Sequence, residues 1–262
     1  MTNWHIGTIG FGYKPWANTF YPPGLAPRQY LGYYSQRFTT VEIDTTFYGI
    51  PRPEQLARWS AVTPHNFTFT LKTPRSITHD HRLDDAAQAE MAQFTTVCQR
   101  LGPKLGPILI QLPPDFTQVE APTLARFLRT LPDDINFALE FRHPSWQLPA
   151  TRRLLERFNI AWVAADYIHM PKTIIPTADF IYLRLLGQHG RFPLKNSEQL
   201  DPTPTLQKWY AMLQKQLNTT PDIYIFANND FAGYSPRTCT RLQEIIGLPP
   251  ADIRILQQGR LF

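Results

Sequence analysis

INFALEFR, residues 135–142, decides the fold. A strand turns successive side chains to opposite faces. Phe137, Leu139 and Phe141 therefore share one face, and Ala138, Glu140 and Arg142 the other. The first face is apolar throughout. The second begins apolar and turns charged towards its C-terminal end. Seven further runs lie along the chain, and six of them repeat the theme: WHIGTIGF (Trp4–Phe11), TTVEID (Thr39–Asp44), FTFTLK (Phe67–Lys72), PILIQL (Pro107–Leu112), IAWVAAD (Ile160–Asp166), FIYLRLLG (Phe180–Gly187) and DIYIFANN (Asp222–Asn229). Glu42 and Asp44, Lys72, Gln111, Asp166, Arg184 and Asn228 hold the parity of Glu140 and Arg142 in their own runs. The first run is the exception, ending in glycine and aromatic residues.

A closed barrel wrapped in helices produces that pattern, with charges gathered at one mouth. The chain has 262 residues, near the ~250 typical of such barrels. The expectation is an α/β fold, a single (β/α)8 TIM-type barrel forming one domain over residues 1–262. No Ser/Gly-rich linker, charge block or fixed-period repeat divides it. An open doubly wound sheet competes, but no glycine-rich phosphate fingerprint follows the first run.

Between the runs lie helical segments with cap signals. Asp84 and Asp85 place negative charge before AAQAEMAQFTTVCQRL. Thr203-Pro204 and Ser235-Pro236 read as a capping hydroxyl with proline at the first helical position. The sixth connection, YIHMPKTIIPTAD (Tyr167–Asp179), holds two prolines and no helical period. Helix 6 is therefore expected to be reduced or replaced by a loop. The 25 prolines of the chain sit in connections and helix starts, where they stiffen loops.

No apolar run approaches the ~20 residues of a bilayer span, and no apolar leader precedes the first run. The expectation is a cytoplasmic protein with no membrane partner. Cys98 and Cys239 make neither a disulfide framework nor a metal cluster. They read as small buried hydrophobes in a reducing compartment. The formal net charge of +5 permits attraction to nucleic acid or acidic metabolites without selecting either.

Several stretches together carry a resemblance: GFGYKPWANTFYPPG (10–24), YYSQRFTTVEIDTTFYGIP (33–51), Trp59 followed by TPHNFTFTLKTPRSITH (59–79), LGPILIQLPPDF (105–116), FALEFRHPSW (137–146), YLRLLG (182–187) and YIFANN (224–229). In this order they resemble the domain of unknown function 72 family, the YecE-like proteins. The resemblance implies a barrel of the kind deduced above, in a bacterial or archaeal-type cytoplasmic protein without an agreed activity. Two departures stand out. Where the family usually shows Arg-Leu-His-Gly, this chain has Arg184-Leu185-Leu186-Gly187, with His189 nearby. Where the family shows Phe-Asn-Asn, it has Phe226-Ala227-Asn228-Asn229.

Glu140, Arg142, His143 and Trp146 form the densest candidate group, at the strand end where barrel enzymes place working residues. Arg142 suits two parallel hydrogen bonds to an anion. Glu140 becomes an acid or base if its surroundings raise its pKa. The competing reading is a salt bridge closing a polar mouth, since buried charges need partners whatever the function. Glu42 pairs with Glu140 as a second carboxylate, in the manner of glycoside cleavage. Together with Asp166 and a histidine, these acids form a weaker case for a divalent metal. No tight ligand motif supports one, so no cofactor is expected. Lys72 reads as a charge steadying an anion or the carboxylates. His79 is a candidate proton carrier near neutral pH.

Asp44, Tyr48, Gln111, Arg184, Asn228 and Asn229 complete the expected ring. Tyr13 and Trp146 would give aromatic walls suited to a sugar or base. The expected function is an enzyme of hydrolase, isomerase or lyase type. It would use acid–base chemistry by Glu140 with Glu42 or His79 on a small anionic or sugar-like substrate. A nucleic-acid-binding protein or nuclease, and a non-catalytic barrel with a structural polar network, are the alternatives.

Overall fold

The computed structural model describes residues 2–249. The ends of the expected domain, residue 1 and residues 250–262, lie outside the described residues. The strands are β1 (Asn3–Thr8), β2 (Thr40–Ile43), β3 (Thr68–Lys72), β4 (Leu105–Gln111), β5 (Phe137–Glu140), β6 (Ala161–Trp162), β7 (Ala164–Asp166), β8 (Phe180–Leu185) and β9 (Asp222–Ala227). They form two parallel sheets, a four-stranded one in the order β1-β9-β8-β7 and a five-stranded one in the order β2-β3-β4-β5-β6. The fold is α/β, and the ladders register as two sheets.

The sheets meet at two places. The run IAWVAAD is divided between them at Val163, whose N–H still bonds Leu139 O of β5 at 3.0 Å. At the other side Ile9 pairs with Glu42, and Gly10 N–H donates to Glu42 O at 2.7 Å. Here the first run departs from the others for a steric reason. A Cβ on Gly7 would lie 2.1 Å from the carbonyl oxygen of Thr40. Only glycine lets β1 approach β2 this closely.

Helices α1 (Tyr30–Tyr34), α2 (Pro53–Ala61), α3 (Asp85–Cys98), α4 (Ala121–Leu128), α5 (Pro149–Arg157), α6 (Thr203–Gln214), α7 (Asn229–Ala232) and α8 (Ser235–Ile246) fill the connections. Asp84 caps α3, accepting from Ala87 N–H at 2.9 Å. The expected Thr203 cap is corrected: Asp201 accepts from Thr203 N–H and Oγ1–H ahead of α6. The expected Ser235 cap is also corrected, because its hydroxyl turns to Asn229 Oδ1 at 3.0 Å. Residues 167–179 contain no helix. Thr177 ties that loop down, its Oγ1 accepting from Trp162 N–H at 2.8 Å and donating to Ile160 O at 2.6 Å.

The apolar strand faces, such as Val41, Ile43, Phe69, Leu71, Leu139, Leu183 and Ile225, belong to a large core shared with the helices. The opposite faces build a smaller cluster drawn from both sheets, including Leu109 and Ala138 on one side and Phe180, Tyr182, Tyr224 and Phe226 on the other. The two cysteines are buried and free. Among the described residues no helix is long and apolar enough to cross a membrane.

Candidate functional site

At the strand ends the apolar cluster gives way to charge. Arg184 of β8 is buried and lies between carboxylates from two other strands. Its Nε and Nη2 donate to the two oxygens of Glu42 at 3.0 and 2.7 Å, and its Nη1 donates to Glu140 Oε2. Tyr182, two residues back on the same face, donates its hydroxyl to Glu42 Oε2 at 2.8 Å. Glu140 Oε1 accepts in turn from Arg142 Nε. Both glutamates are 0% exposed. Isolated buried charges of this kind would be costly, and pairing offsets the cost. Burial pushes the Glu42 carboxyl up, against the pull of Arg184. Burial acts on Glu140 in the same direction, but Arg142 and Arg184 outweigh it and hold that carboxyl below its usual value. The two carboxyls are thus driven apart, as in sites that divide acid and base roles.

Above this layer opens a cavity of about 310 Å³. Asp44, Lys72, Gln111, Arg142, Arg184 and Asn228 line it, joined by Tyr167, Leu186, His189 and Asp230. Lys72 Nζ donates to Gln111 Oε1 at 2.7 Å and lies 4.0 Å from the centre of the Phe47 ring. Among the described residues no carboxylate stands within ion-pair distance of this ammonium. Burial, with the charge of Arg184 next in weight, pushes its pKa down to about 8, since a desolvated ammonium gives up its proton more readily. The Arg142 guanidinium lies over the Tyr167 ring at 4.3 Å. Only its Nε is engaged by Glu140. Among the described residues its Nη1 and Nη2 have no hydrogen-bond partner.

Six of the expected site residues therefore share one cavity wall, and Glu42 and Glu140 lie sealed beneath it. The others are placed elsewhere. Tyr48 is 87% exposed and off the wall. His79 sits in the turn Ser76–Asp80, its ring edge-on to Phe47 at 5.1 Å and its Nδ1 2.8 Å from Thr78 Oγ1. Burial and the nearby Lys72 charge lower its pKa. His143 caps the turn Pro144–Trp146, pairing its Nδ1 with Ser145. Trp146 is a core residue, stacked on Phe141 at 4.6 Å with its indole N–H on Phe116 O. Asp166 is engaged by Trp209 Nε1 at 2.8 Å and by Lys172 at 2.7 Å.

The asparagine pair is separated by the structure. Asn228 reaches the cavity and caps α7, its Oδ1 accepting from Asp230 N–H at 3.0 Å. Asn229 is buried and staples the fold, its Oδ1 accepting from Trp16 Nε1, Ser235 N–H and Ser235 Oγ–H. Leu186, at the position of the usual family histidine, is buried in the cavity wall. His189 stands at the rim with Nδ1 3.4 Å from Asp230 Oδ2.

Tyr182, Tyr167 and Asp230 were missing from the expected ring. The period-two reading carries a signal for Tyr182, which shares a face with Arg184. Asp230 directly follows the asparagine pair at the same strand end. Its carboxylate faces Lys195 at 3.3 Å, yet its Oδ1 is buried without a hydrogen bond of good geometry. Among the described residues no group of three or more His, Cys, Asp or Glu side chains converges as a metal site.

A family model described as a protein of unknown function, DUF72, matches residues 5–259. YecE of Escherichia coli is 36% identical over 113 residues, 43% of this chain and 41% of that protein. YunF of Bacillus subtilis is 32% identical over 151 residues, 55% of this chain and 52% of that protein. The chain thus aligns with about half the length, or less, of these curated relatives. Among solved structures, a DUF72 family protein from Thermotoga maritima superposes with a TM-score of 0.80 at 26% identity, covering 93% of this chain and 99% of that one. Another DUF72 family protein, from Enterococcus faecalis, gives 0.74 at 20% identity over 95% and 99%.

Proposed function

The chain belongs to the DUF72 family of proteins of unknown function, and we propose that it is an enzyme using acid–base chemistry on a small anionic substrate held in the strand-end cavity. One observation carries the reading. Among the described residues two cations on one cavity wall are left with unused donors: Lys72 without a carboxylate, and Arg142 with both terminal nitrogens unpaired. A planar guanidinium presenting two N–H groups matches a carboxylate or phosphate. The ammonium beside it would steady the same anion.

Proton exchange falls to the groups that face the cavity. A lysine whose pKa lies near 8 exchanges its proton close to neutral pH, where general acid–base catalysis is most efficient. Asp44 and Asp230 supply carboxylates on the same wall. Glu42 and Glu140 act through the arginines they hold, Glu140 fixing Arg142 and both of them fixing Arg184. This moves the proton-carrying role away from Glu140, Glu42 and His79 and towards Lys72. Abstraction of a proton alpha to a carbonyl or carboxylate of an anionic substrate, with the electron pair taken up by that carbonyl group and then returned in isomerisation or elimination, fits these groups best.

The same proposal extends to the frame. The two sheets are read as halves of one (β/α)8 barrel and a single domain. The Ile9–Glu42 bridge, the Val163 junction and the apolar cluster drawn from both sheets support it.

Thermal shift against phosphate, malate, a sugar phosphate, uncharged sugars and a short oligonucleotide tests the function. A ligand at a hundred times its Kd adds about 2.7 kcal/mol to the folded state. Small anions are expected to raise the melting point of the wild type and to lose at least about tenfold in affinity with Lys72→Met. An organic anion that binds should exchange the C–H alpha to its carbonyl or carboxylate for deuterium in the wild type alone. A response confined to the oligonucleotide, steeply weakened by salt, would transfer the assignment to nucleic acid.

A further inference from the structure

Next to the charged cavity lies a second one of about 420 Å³, lined by Phe11, Gly12, Tyr13, Ile43, Asp44 and Trp59 among others. Asp44 belongs to both walls. The boundary between them is kept thin by Gly10. A Cβ there would meet the Tyr13 ring at 3.1 Å and Asp44 Oδ1 at 3.4 Å, on a backbone with φ +73°. The second cavity is preformed. Tyr13 is fixed by its hydroxyl bond to Ile9 O at 2.9 Å and by ring contact with Trp16 at 4.9 Å. Trp59 is held by stacking on Phe69 at 5.8 Å. Its indole N–H has no hydrogen-bond partner among the described residues.

We infer that the ligand is bipartite: a compact anionic head in the charged cavity, and a flat aromatic arm in the cavity walled by Phe11, Tyr13 and Trp59. The assignment rests on the reading of the first cavity as an anion site and adds the class of organic acid it takes. The anchored Tyr13 and Trp59 rings, with Phe11 beside them, present large apolar area at little entropic cost, and rings pair well with rings. The charged cavity takes the head, and the adjoining aromatic cavity leaves about 420 Å³ for an arm. Asp44, at the junction, meets the ligand where head and arm join, so a hydroxyl there would find an acceptor.

Matched probes separate the two halves. Lactate against 3-phenyllactate, and phosphate against phenyl phosphate, keep the head and add the arm. Calorimetric titration of the wild type is expected to favour each arm-bearing acid by roughly tenfold or more, the scale of an apolar group filling a preformed pocket. Gly12 offers a clean block. It lies outside the left-handed region, and a Cβ added to it meets nothing within 4 Å. Gly12→Leu should therefore fold normally and erase the preference while leaving lactate and phosphate unchanged. Lys72→Met should weaken all four probes and keep the ratio. Equal binding of matched probes by the wild type, or a ratio untouched by Gly12→Leu, overturns the bipartite ligand and leaves the anion site standing. Failure of all four probes to bind overturns both.

Discussion

Replacing Arg184 by methionine removes the charge on which the buried layer depends. Arg184 donates three hydrogen bonds, two to Glu42 and one to Glu140, and both acceptors are 0% exposed. In Arg184→Met, among the described residues Glu42 keeps only the Tyr182 hydroxyl and Glu140 only Arg142. Breaking a buried pair from one side costs about 3–5 kcal/mol, because the surviving charge is stranded. Set against a total stability of roughly 5–15 kcal/mol, that is a large fraction. For a chain of this size it corresponds to a fall of about 6–20 °C in melting temperature.

The pH dependence fixes the cause. Without Arg184, both carboxyls should titrate above their unfolded value of ~4.3 in the folded variant. Groups with raised folded pKa values contribute stability that is present at low pH and lost as pH rises. The gap between wild type and variant should therefore narrow on going from pH 7 to pH 5. The limit is about 1.4 kcal/mol per pH unit for each carboxyl protonated only in the folded state. Urea denaturation at the two pH values measures it. A loss under about 1 kcal/mol, or a gap that fails to narrow in acid, would mean that water reaches the layer and that the charges are not sealed.

Lys72→Met should stabilise the protein by ~2 kcal/mol at pH 7 while weakening anion binding. The folded pKa of about 8 lies below the unfolded value. The lysine therefore burdens the fold below pH 8 and ceases to do so as pH rises towards ~10.4, so the advantage of the variant should vanish in alkali in a melting-temperature series. Anion affinity of the wild type should hold below pH 8 and fall above it, whereas the variant should bind weakly and evenly across the range. Gly7→Ala should destabilise by at least about 1–3 kcal/mol, because the added Cβ would stand 2.1 Å from Thr40 O. A crystal structure of that variant should show β1 displaced from β2, and an unchanged contact would show that the close approach is dispensable.

The alternation in INFALEFR and its companion runs was enough to bring Asp44, Lys72, Gln111, Arg142, Arg184 and Asn228 to one wall, because side-chain parity is a local property of the strand. It could not say how deep each group would lie. Glu42 and Glu140 share parity with Lys72, yet the first two are sealed and the last reaches the cavity, since depth depends on how the strands are staggered. Positions beyond the strand ends were the least readable. Tyr48, His79, His143 and Trp146 sit in loop turns whose backbones aim them outward, into local caps or into the core. The glycines of the first run looked like a break in the pattern. Gly7 and Gly10 instead mark where the sheets meet and where two cavities nearly join.

Charge balance is what makes Lys72 the group to pursue. Arg142 and Arg184 face Glu140 and Glu42, so that quartet sums to zero. Asp166 is matched by Lys172, and Asp230 is faced by Lys195. Of the charges around the cavity, Lys72 and Asp44 are left without an ion-pair partner among the described residues. A protein that needed only a sealed mouth would gain by pairing them or by replacing the lysine with an apolar side chain. Keeping a desolvated ammonium on an amide oxygen costs stability and yields a proton that moves near neutral pH. On the proposed function, an anion entering beside Lys72 would match that charge.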